Sequence, residues 1–209
     1  MKITVLGATG RTGLPFIQQA LDAGHEVIAF VRTPSKLTLT HPCLRVVAGD
    51  STDAAAVGKA IQGTDAVVVA LGHSKNSPRT MMADSARHII AAMKQYGVRR
   101  IITMTGAGVS APEDQPKLMN HVIKFLLKTI SPQVLKDSED HVQIIKDSGL
   151  DWTVVRGPML TEGAHTGNYR VGWVGVNTSA RISRADVADF MLKQVNANDY
   201  VRKMPMVSD

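Results

Sequence analysis

The sequence predicts an α/β fold: a doubly wound, mostly parallel β-sheet with a small C-terminal cap. Three observations carry that reading. Six short β-rich runs alternate with helical segments. Two of these runs, 26–31 and 65–71, are apolar beyond their first residue, as expected of strands covered on both faces. The first run ends in a glycine cluster that opens a helix. The 209 residues suit one substantial domain over 1–209, with 157–181 expected as a small substrate-side cap within it.

Lys2–Leu6 reads as the first strand, 12–23 as a helix stopped by Gly24, and Glu26–Val31 as the second strand. Together they form a β-α-β unit of about 30 residues whose crossover is expected to be right-handed. Leu44–Ala48 is the third strand, 53–61 a helix capped by Asp53, and 65–71 the fourth strand. A helix over 78–96 carries the apolar stripe Met81, Met82, Ala86, Ile89, Ile90 and Met93, stops at Gly97, and leads into a strand over 101–105. The loop 106–116 is long enough for a lid or binding loop. Helices follow over 119–129 and 134–148, divided by Ser131-Pro132, and then a strand over 152–156. Regularity lapses across 157–175, which holds five glycines and is read as loop with one or two short strands. A helix over 183–195 starts from Ser183.

Composition narrows the classes of function. Hydrophobic residues make up 44% and charged residues 20%, an ordinary globular mixture. Apolar runs such as 66–71 are far shorter than the roughly 20 residues of a membrane helix, and the N-terminal run reads as a core strand, not a signal peptide. Cys43 is the only cysteine, so intrachain disulfides and four-cysteine metal sites are excluded and a cytoplasmic setting is expected. The net charge of +6 comes without any block of five basic residues and with few aromatics. This favours a small phosphorylated anion over nucleic acid or a membrane as partner.

The run Gly7-Ala8-Thr9-Gly10-Arg11-Thr12-Gly13 joins the first strand to the first helix. Small residues there permit a tight turn and let backbone N–H groups approach a pyrophosphate. The spacing is GxxGxxG and lacks the lysine of a phosphate-hydrolysing loop. NAD sites of this kind place an acid about 20 residues on, to hold the adenosine ribose. Here the second strand ends at Arg32, with Lys36 close behind, and no acid stands there. An arginine fork and a lysine point charge suit a 2'-phosphate, so NADP(H) is the expected cofactor. Other strand ends are expected on the same crevice: Asp50 and Ser51 near the adenine, Leu71 and Gly72 near the nicotinamide ribose, and Thr105 and Gly106 near the nicotinamide.

The chemistry of ordinary carbonyl reduction is missing. That chemistry needs a tyrosine and a lysine four residues apart on one helix. The fourth residues after Tyr96, Tyr169 and Tyr200 are Arg100, Trp173 and Met204. No HExxH or GxSxG spacing occurs, and no metal site is expected. His141, with Asp137, Glu139 and Asp140 close by, reads as part of a solvated helix face, and His73 as a cofactor-rim or surface histidine. A conjugated acceptor such as a flavin or quinone takes hydride without a side-chain acid, and Gly106, Ala107 and Gly108 leave room for a flat ring bordered by Met159, Leu160 and Trp173.

The glycine loop, Val31-Arg32, Gly49-Asp50, the segment 148–156 (SGLDWTVVR) and the segment 182–188 (ISRADVA) resemble the atypical short-chain dehydrogenase/reductase group that includes NmrA-like proteins. Within it the chain is similar to NADPH-dependent flavin and biliverdin IX-beta reductases. The resemblance implies an NAD(P)-binding Rossmann fold with cofactor contacts at Gly7, Thr9, Gly10, Arg11, Thr12, Gly13, Arg32, Lys36, Asp50, Leu71 and Gly72. It places Thr105, Pro158, Met159 and Leu160 around the nicotinamide, with Thr105, Gly106 and Met159 at the reacting centre. Such reductases carry a serine at the position of Gly106 and a histidine at that of Met159. The wider group also includes redox sensors that bind NADP(H) and regulate a protein partner without turnover, which is the alternative to a reductase acting on a small-molecule acceptor.

Overall fold

The computed structural model describes residues 1–74 and 77–209, and the side chains of all of these except 119, 123, 124 and 127. In chain order the elements are β1 (Lys2–Leu6), α1 (Gly13–Asp22), β2 (Glu26–Val31), a short 3-10 turn (Pro34–Lys36), β3 (Leu44–Ala48), α2 (Ala54–Ile61), β4 (Ala66–Val69), α3 (Met81–Tyr96), β5 (Arg100–Gly106), α4 (Leu118–Ile130), α5 (Pro132–Lys146), β6 (Asp151–Gly157), β7 (Met159–Thr161), β8 (Arg170–Gly172), β9 (Arg181–Ser183), α6 (Arg184–Asn196) and β10 (Met206–Ser208). The main sheet runs β3-β2-β1-β4-β5-β6-β10-β8, and β7 pairs with β9 in a separate two-stranded sheet.

Neighbours are parallel from β3 through β6 to β10, and only β8 runs antiparallel, against β10. This is the doubly wound α/β fold of a Rossmann domain, with α1 and α6 on one face and α2, α3 and α5 on the other. Phe16, Ile17, Phe190 and Met191 fill the first layer. Val57, Ile89, Met93 and Ile145 fill the second. Strands sandwiched this way have no polar face, which explains why β4 reads Ala-Val-Val-Val and is buried throughout. The chain reverses its direction of winding between β1 and β4, where the Ala70 N–H donates to the Leu6 carbonyl at 2.8 Å. Ligands of open α/β sheets bind at such a switch point, outside the carboxyl ends of the strands.

The helix signals act where the sequence puts them. The Asp53 carboxylate accepts the N–H groups of Ala55 and Ala56, and the Ser183 hydroxyl accepts that of Asp186 at 2.9 Å. Gly97 closes α3 in the left-handed conformation, with φ of 71°. Pro132 opens α5 in its first turn, where its missing N–H costs nothing. The C-terminal third holds the two short strands and the helix expected there, β7, the edge strand β8 and α6, whereas β9 and β10, unforeseen in the sequence, return the chain to the two sheets.

One buried ion pair holds the loop after β5. Arg156 on β6 is fully buried and donates to both carboxylate oxygens of Asp114 at 2.7 Å, and to the carbonyls of Val109 and Met204. Asp114 also accepts the N–H groups of Ala111 and Val174. Burial pushes the Asp114 carboxyl up, and the hydrogen bonds from Arg156, Ala111 and Val174 outweigh it, leaving the pKa below its ordinary value. The 106–116 loop is therefore tied to the sheet and to the chain after β8.

Candidate functional site

The site grows from the end of β1. Gly7 adopts φ of +84°, and a Cβ there would lie 2.5 Å from the Ala70 carbonyl oxygen. A Cβ on Gly10 would stand 2.9 Å from the Gly7 oxygen, and one on Gly13 only 2.2 Å from it. All three glycines are thus demanded by the loop's packing on itself and on β4. The Gly10 N–H donates to Gly7 at 2.8 Å, and α1 begins directly afterwards with no side chain capping its N–H groups. The Leu14 N–H is taken by the Gly10 carbonyl at 2.9 Å and Pro15 has none, so the helix dipole, more than a set of open donors, suits an anion there.

Beside this loop lies a cavity of about 560 Å3, bounded by Gly7, Thr9 and Gly10, by Arg32 and Lys36 beyond β2, by Asp50 and Ser51 beyond β3, and by Leu71 and Gly72 beyond β4. Its size is that of a typical small-molecule site. Among the described residues neither Arg32 nor Lys36 closes a salt bridge, so two cations face a cavity with no carboxylate neutralising them at contact distance. Asp50 is partly engaged, since its Oδ1 accepts the Thr52 N–H at 2.9 Å and the Thr52 hydroxyl at 2.7 Å. These bonds hold its carboxyl below the usual range, with Arg32 adding a smaller pull. The Ser51 hydroxyl is buried and accepts that of Ser85 at 2.8 Å. A Cβ on Gly72 would meet nothing within 4 Å, unlike those of the loop glycines.

The remaining predicted residues lie outside this wall. Thr12 and Gly13 are buried behind the loop. Arg11 points away, its Nη1 3.3 Å from Glu162, which also takes Arg184 at 2.8 Å. The ends of β5 and β6 lie side by side, with Thr105 opposite Arg156 and Gly106 opposite Gly157, and the Ala107 N–H donates to Gly157 at 2.9 Å. Thr105 is buried, while a Cβ on Gly106 would enter open space. Pro158 and Met159 follow at the same edge, Met159 being 63% exposed. Leu160 folds back so that its Cδ2 occupies the space over Gly157. The cavity also recruits Thr52, Ser74 and Ser77, none of which was singled out in the sequence, and Met81, which the sequence offered only as part of an apolar helix stripe. The Ser77-Pro78 pair just before α3 was the available signal, because helix starts at the carboxyl edge of a sheet face its ligands.

A second, shallower depression of about 670 Å3 lies at the opposite edge of the sheet among Asp65, Arg99, Arg100 and Asp151. Its charges are already matched, Arg99 to Asp151 and Arg100 to three backbone and side-chain oxygens. It offers a ligand less than the cavity at the switch point.

Of the two histidines, His141 differs from expectation, while His73 stands between the cavity-lining Gly72 and Ser74. His141 is fully buried, not solvated. Its Nδ1 donates to the Met82 carbonyl at 3.0 Å and its Nε2 accepts the Thr103 hydroxyl at 2.9 Å, a tautomer assigned from the carbonyl partner. Burial holds its pKa below the ordinary imidazole value despite the Met82 carbonyl and the Asp137 charge. The physical reason lies in the i, i+4 row Asp137, His141 and Ile145, which faces inward beside Leu135 and Val142. Asp137 accepts the N–H groups of Met82 and Ala83 and so caps α3 from another helix. His73 Nε2 sits 3.0 Å from Asp137 Oδ2 without the alignment of a hydrogen bond, and leans inward from the cavity rim.

With this geometry in hand, comparison with known proteins is consistent. Residues 7–198 match a family model described as NAD(P)H-binding. The chain is 25% identical over 201 residues to the uncharacterized protein YwnB of Bacillus subtilis, covering 93% of this chain and 92% of that one. It is 29% identical over 154 residues, 74% of its length, to the (4-alkanoyl-5-oxo-2,5-dihydrofuran-3-yl)methyl phosphate reductase of Streptomyces griseus, and spans 46% of that relative. A short-chain dehydrogenase/reductase of Veillonella parvula, solved in complex with NADP, superposes with a TM-score of 0.80 at 18% identity, covering 100% of this chain and 94% of that one. The chain belongs to the NAD(P)H-binding family.

Proposed function

We propose that the protein is an NADPH-dependent reductase that delivers hydride to a flavin, a quinone or a similar conjugated small molecule. Membership of an NAD(P)H-binding family and the Rossmann fold support the activity class, an NAD(P)H-dependent oxidoreductase. The observation that carries the cofactor choice is the pair Arg32 and Lys36, two cations lining the cavity without a salt-bridge partner and with no acid at the end of β2. Both side chains are exposed at the cavity's edge, and a 2'-phosphate supplies the anion that an arginine fork and a lysine point charge accept. The solved Veillonella relative with NADP supports the same choice.

In this reading Gly7, Thr9, Gly10 and the start of α1 at Thr12 and Gly13 would hold the pyrophosphate, and Arg32 and Lys36 the 2'-phosphate. Asp50 and Ser51 would border the adenine, and Leu71 and Gly72 the nicotinamide ribose. Arg11 would cover the site by exchanging its contact with Glu162. Thr105, Gly106, Pro158, Met159 and Leu160 would flank the nicotinamide, with Thr105, Gly106 and Met159 nearest the acceptor. When bound, the reduced cofactor supplies the hydride. The chain's own contribution is to bind, to orient and to exclude water.

The tyrosines support a conjugated acceptor. None of the three lines the cavity. Tyr169 donates to Asp189 at 2.6 Å, and burial followed by that carboxylate raises its pKa, the opposite of what a proton donor to substrate needs. Tyr200 packs edge-on against Phe190. A flavin or quinone draws its proton from water, so no side-chain acid is required. The test is steady-state NADPH oxidation with flavin, quinone and carbonyl panels. Turnover with flavins or quinones is expected. Turnover confined to carbonyls contradicts the acceptor, and tight NADPH binding without any turnover selects the redox-sensor reading.

A further inference from the structure

Helix α4 is the most amphipathic helix of the chain, yet several of the described residues on its apolar side are left in solvent. Leu118, Phe125 and Ile130 are 81%, 69% and 75% exposed, and Val122, Leu126 and Val134 extend the patch. Positions 118, 122, 125, 126 and 130 fall on one side of a helix, so these residues form a continuous apolar strip. A soluble domain rarely leaves such a strip uncovered without a use for it. The same segment is purely cationic. Residues 115–135 contain Lys117, Lys124 and Lys128 and no aspartate or glutamate. By helical spacing, positions 117, 121, 124 and 128 form one row, about a third of a turn or more from the middle of the apolar strip and bordering it beside position 125.

We propose that α4 docks on an anionic lipid surface. An apolar strip of leucine, phenylalanine and isoleucine flanked by lysines is the pattern of a helix lying in the plane of a bilayer interface. Lysine stems bury along the apolar boundary while their ammonium groups reach the lipid phosphates. A second copy of the chain is a poor occupant, because two such helices would bring lysine rows together with no acid within 115–135 to pair them. The contact is peripheral: no helix of the described residues is long and apolar enough to cross a membrane.

The test uses the full chain and vesicles of equimolar phosphatidylcholine and phosphatidylglycerol, against vesicles of phosphatidylcholine alone, by sedimentation at low and high salt. Binding to the anionic vesicles only, weakened by salt, is expected. The Phe125→Glu/Ile130→Glu variant is expected to lower the partition coefficient by more than about tenfold. Lys117→Gln and Lys128→Gln are each expected to lower it by about fivefold. Circular dichroism and NADPH affinity, both unchanged, show that the variants remain folded. Failure to bind anionic vesicles, equal binding to neutral ones, or full binding by the double glutamate variant overturns the proposal. So does a dimer in solution that the same variant converts to monomer, since a second copy would then be the occupant.

Discussion

Replacing Asp114 by alanine leaves the Arg156 guanidinium buried with its two 2.7 Å partners gone and only the Val109 and Met204 carbonyls for company. The side chains of Arg156 and Asp114 are 0% and 8% exposed, so solvent does not replace the lost carboxylate. Breaking such a pair costs about 3–5 kcal/mol, chiefly because the surviving charge stays desolvated. Unfolding entropy is about 2.1 cal/mol/K per residue, so over 209 residues a loss of about 4 kcal/mol lowers the thermal midpoint by about 9 °C. Urea unfolding followed by circular dichroism measures the change directly. The paired variant Asp114→Leu/Arg156→Met, which removes both charges, is expected to recover most of the loss. Asp114 also anchors the N–H groups of Ala111 and Val174, so the single variant should reduce turnover more than NADPH affinity by loosening the loop that begins at Gly106. A loss below about 1 kcal/mol for Asp114→Ala would refute the reasoning.

Other predictions concern the glycines and the buried imidazole. Gly13→Ala places a Cβ 2.2 Å from the Gly7 oxygen and is expected to cost about 3 kcal/mol or more, read by urea midpoint. Gly72→Ala meets nothing within 4 Å and should shift stability by less than about 0.5 kcal/mol while weakening NADPH measurably. Equal behaviour of these two variants would contradict the division between packing glycines and cavity glycines. Gly106→Ser projects into open space and should fold normally, with changed turnover on flavin in stopped-flow assays. His141 stays neutral in the fold because its pKa is lowered, whereas the unfolded chain binds a proton below about pH 6.5. Its contribution to stability is therefore complete above that pH and lost as pH falls below it, by at most about 1.4 kcal/mol per pH unit. Urea midpoints from pH 7.5 to 5 should show this decline, and His141→Gln should flatten it.

The N-terminal two thirds of the fold was legible because its signals are local. Apolar runs such as Glu26–Val31, the cap at Asp53 and the stop at Gly97 each act within a few residues. β9 and β10 were not, since each is three residues long and owes its strand conformation to distant partners. β10 pairs with β6 through Met206 and Arg156 and with β8 from Val207 and Ser208. The cofactor wall from Gly7 to Gly72 was readable because strand ends in a parallel sheet converge by topology. The reason for the glycines was not, because only coordinates reveal that Gly7 packs on Ala70 and Gly13 on Gly7. His141 was not legible because the charged, half-buried Glu139 and Asp140 beside it give the segment the composition of a solvated face, whereas its burial follows from the i, i+4 alignment with Ile145.

The central claim is that the cations beyond β2 select a 2'-phosphate, and paired cofactor titrations test it most directly. Isothermal titration of the wild-type chain should give a dissociation constant for NADPH at least about tenfold below that for NADH, as one charge-assisted contact contributes about 1.5–3 kcal/mol. The Arg32→Ala/Lys36→Ala variant should lose that preference by weakening NADPH alone. Equal or tighter binding of NADH by the wild type, or an unchanged preference in the variant, would contradict the account.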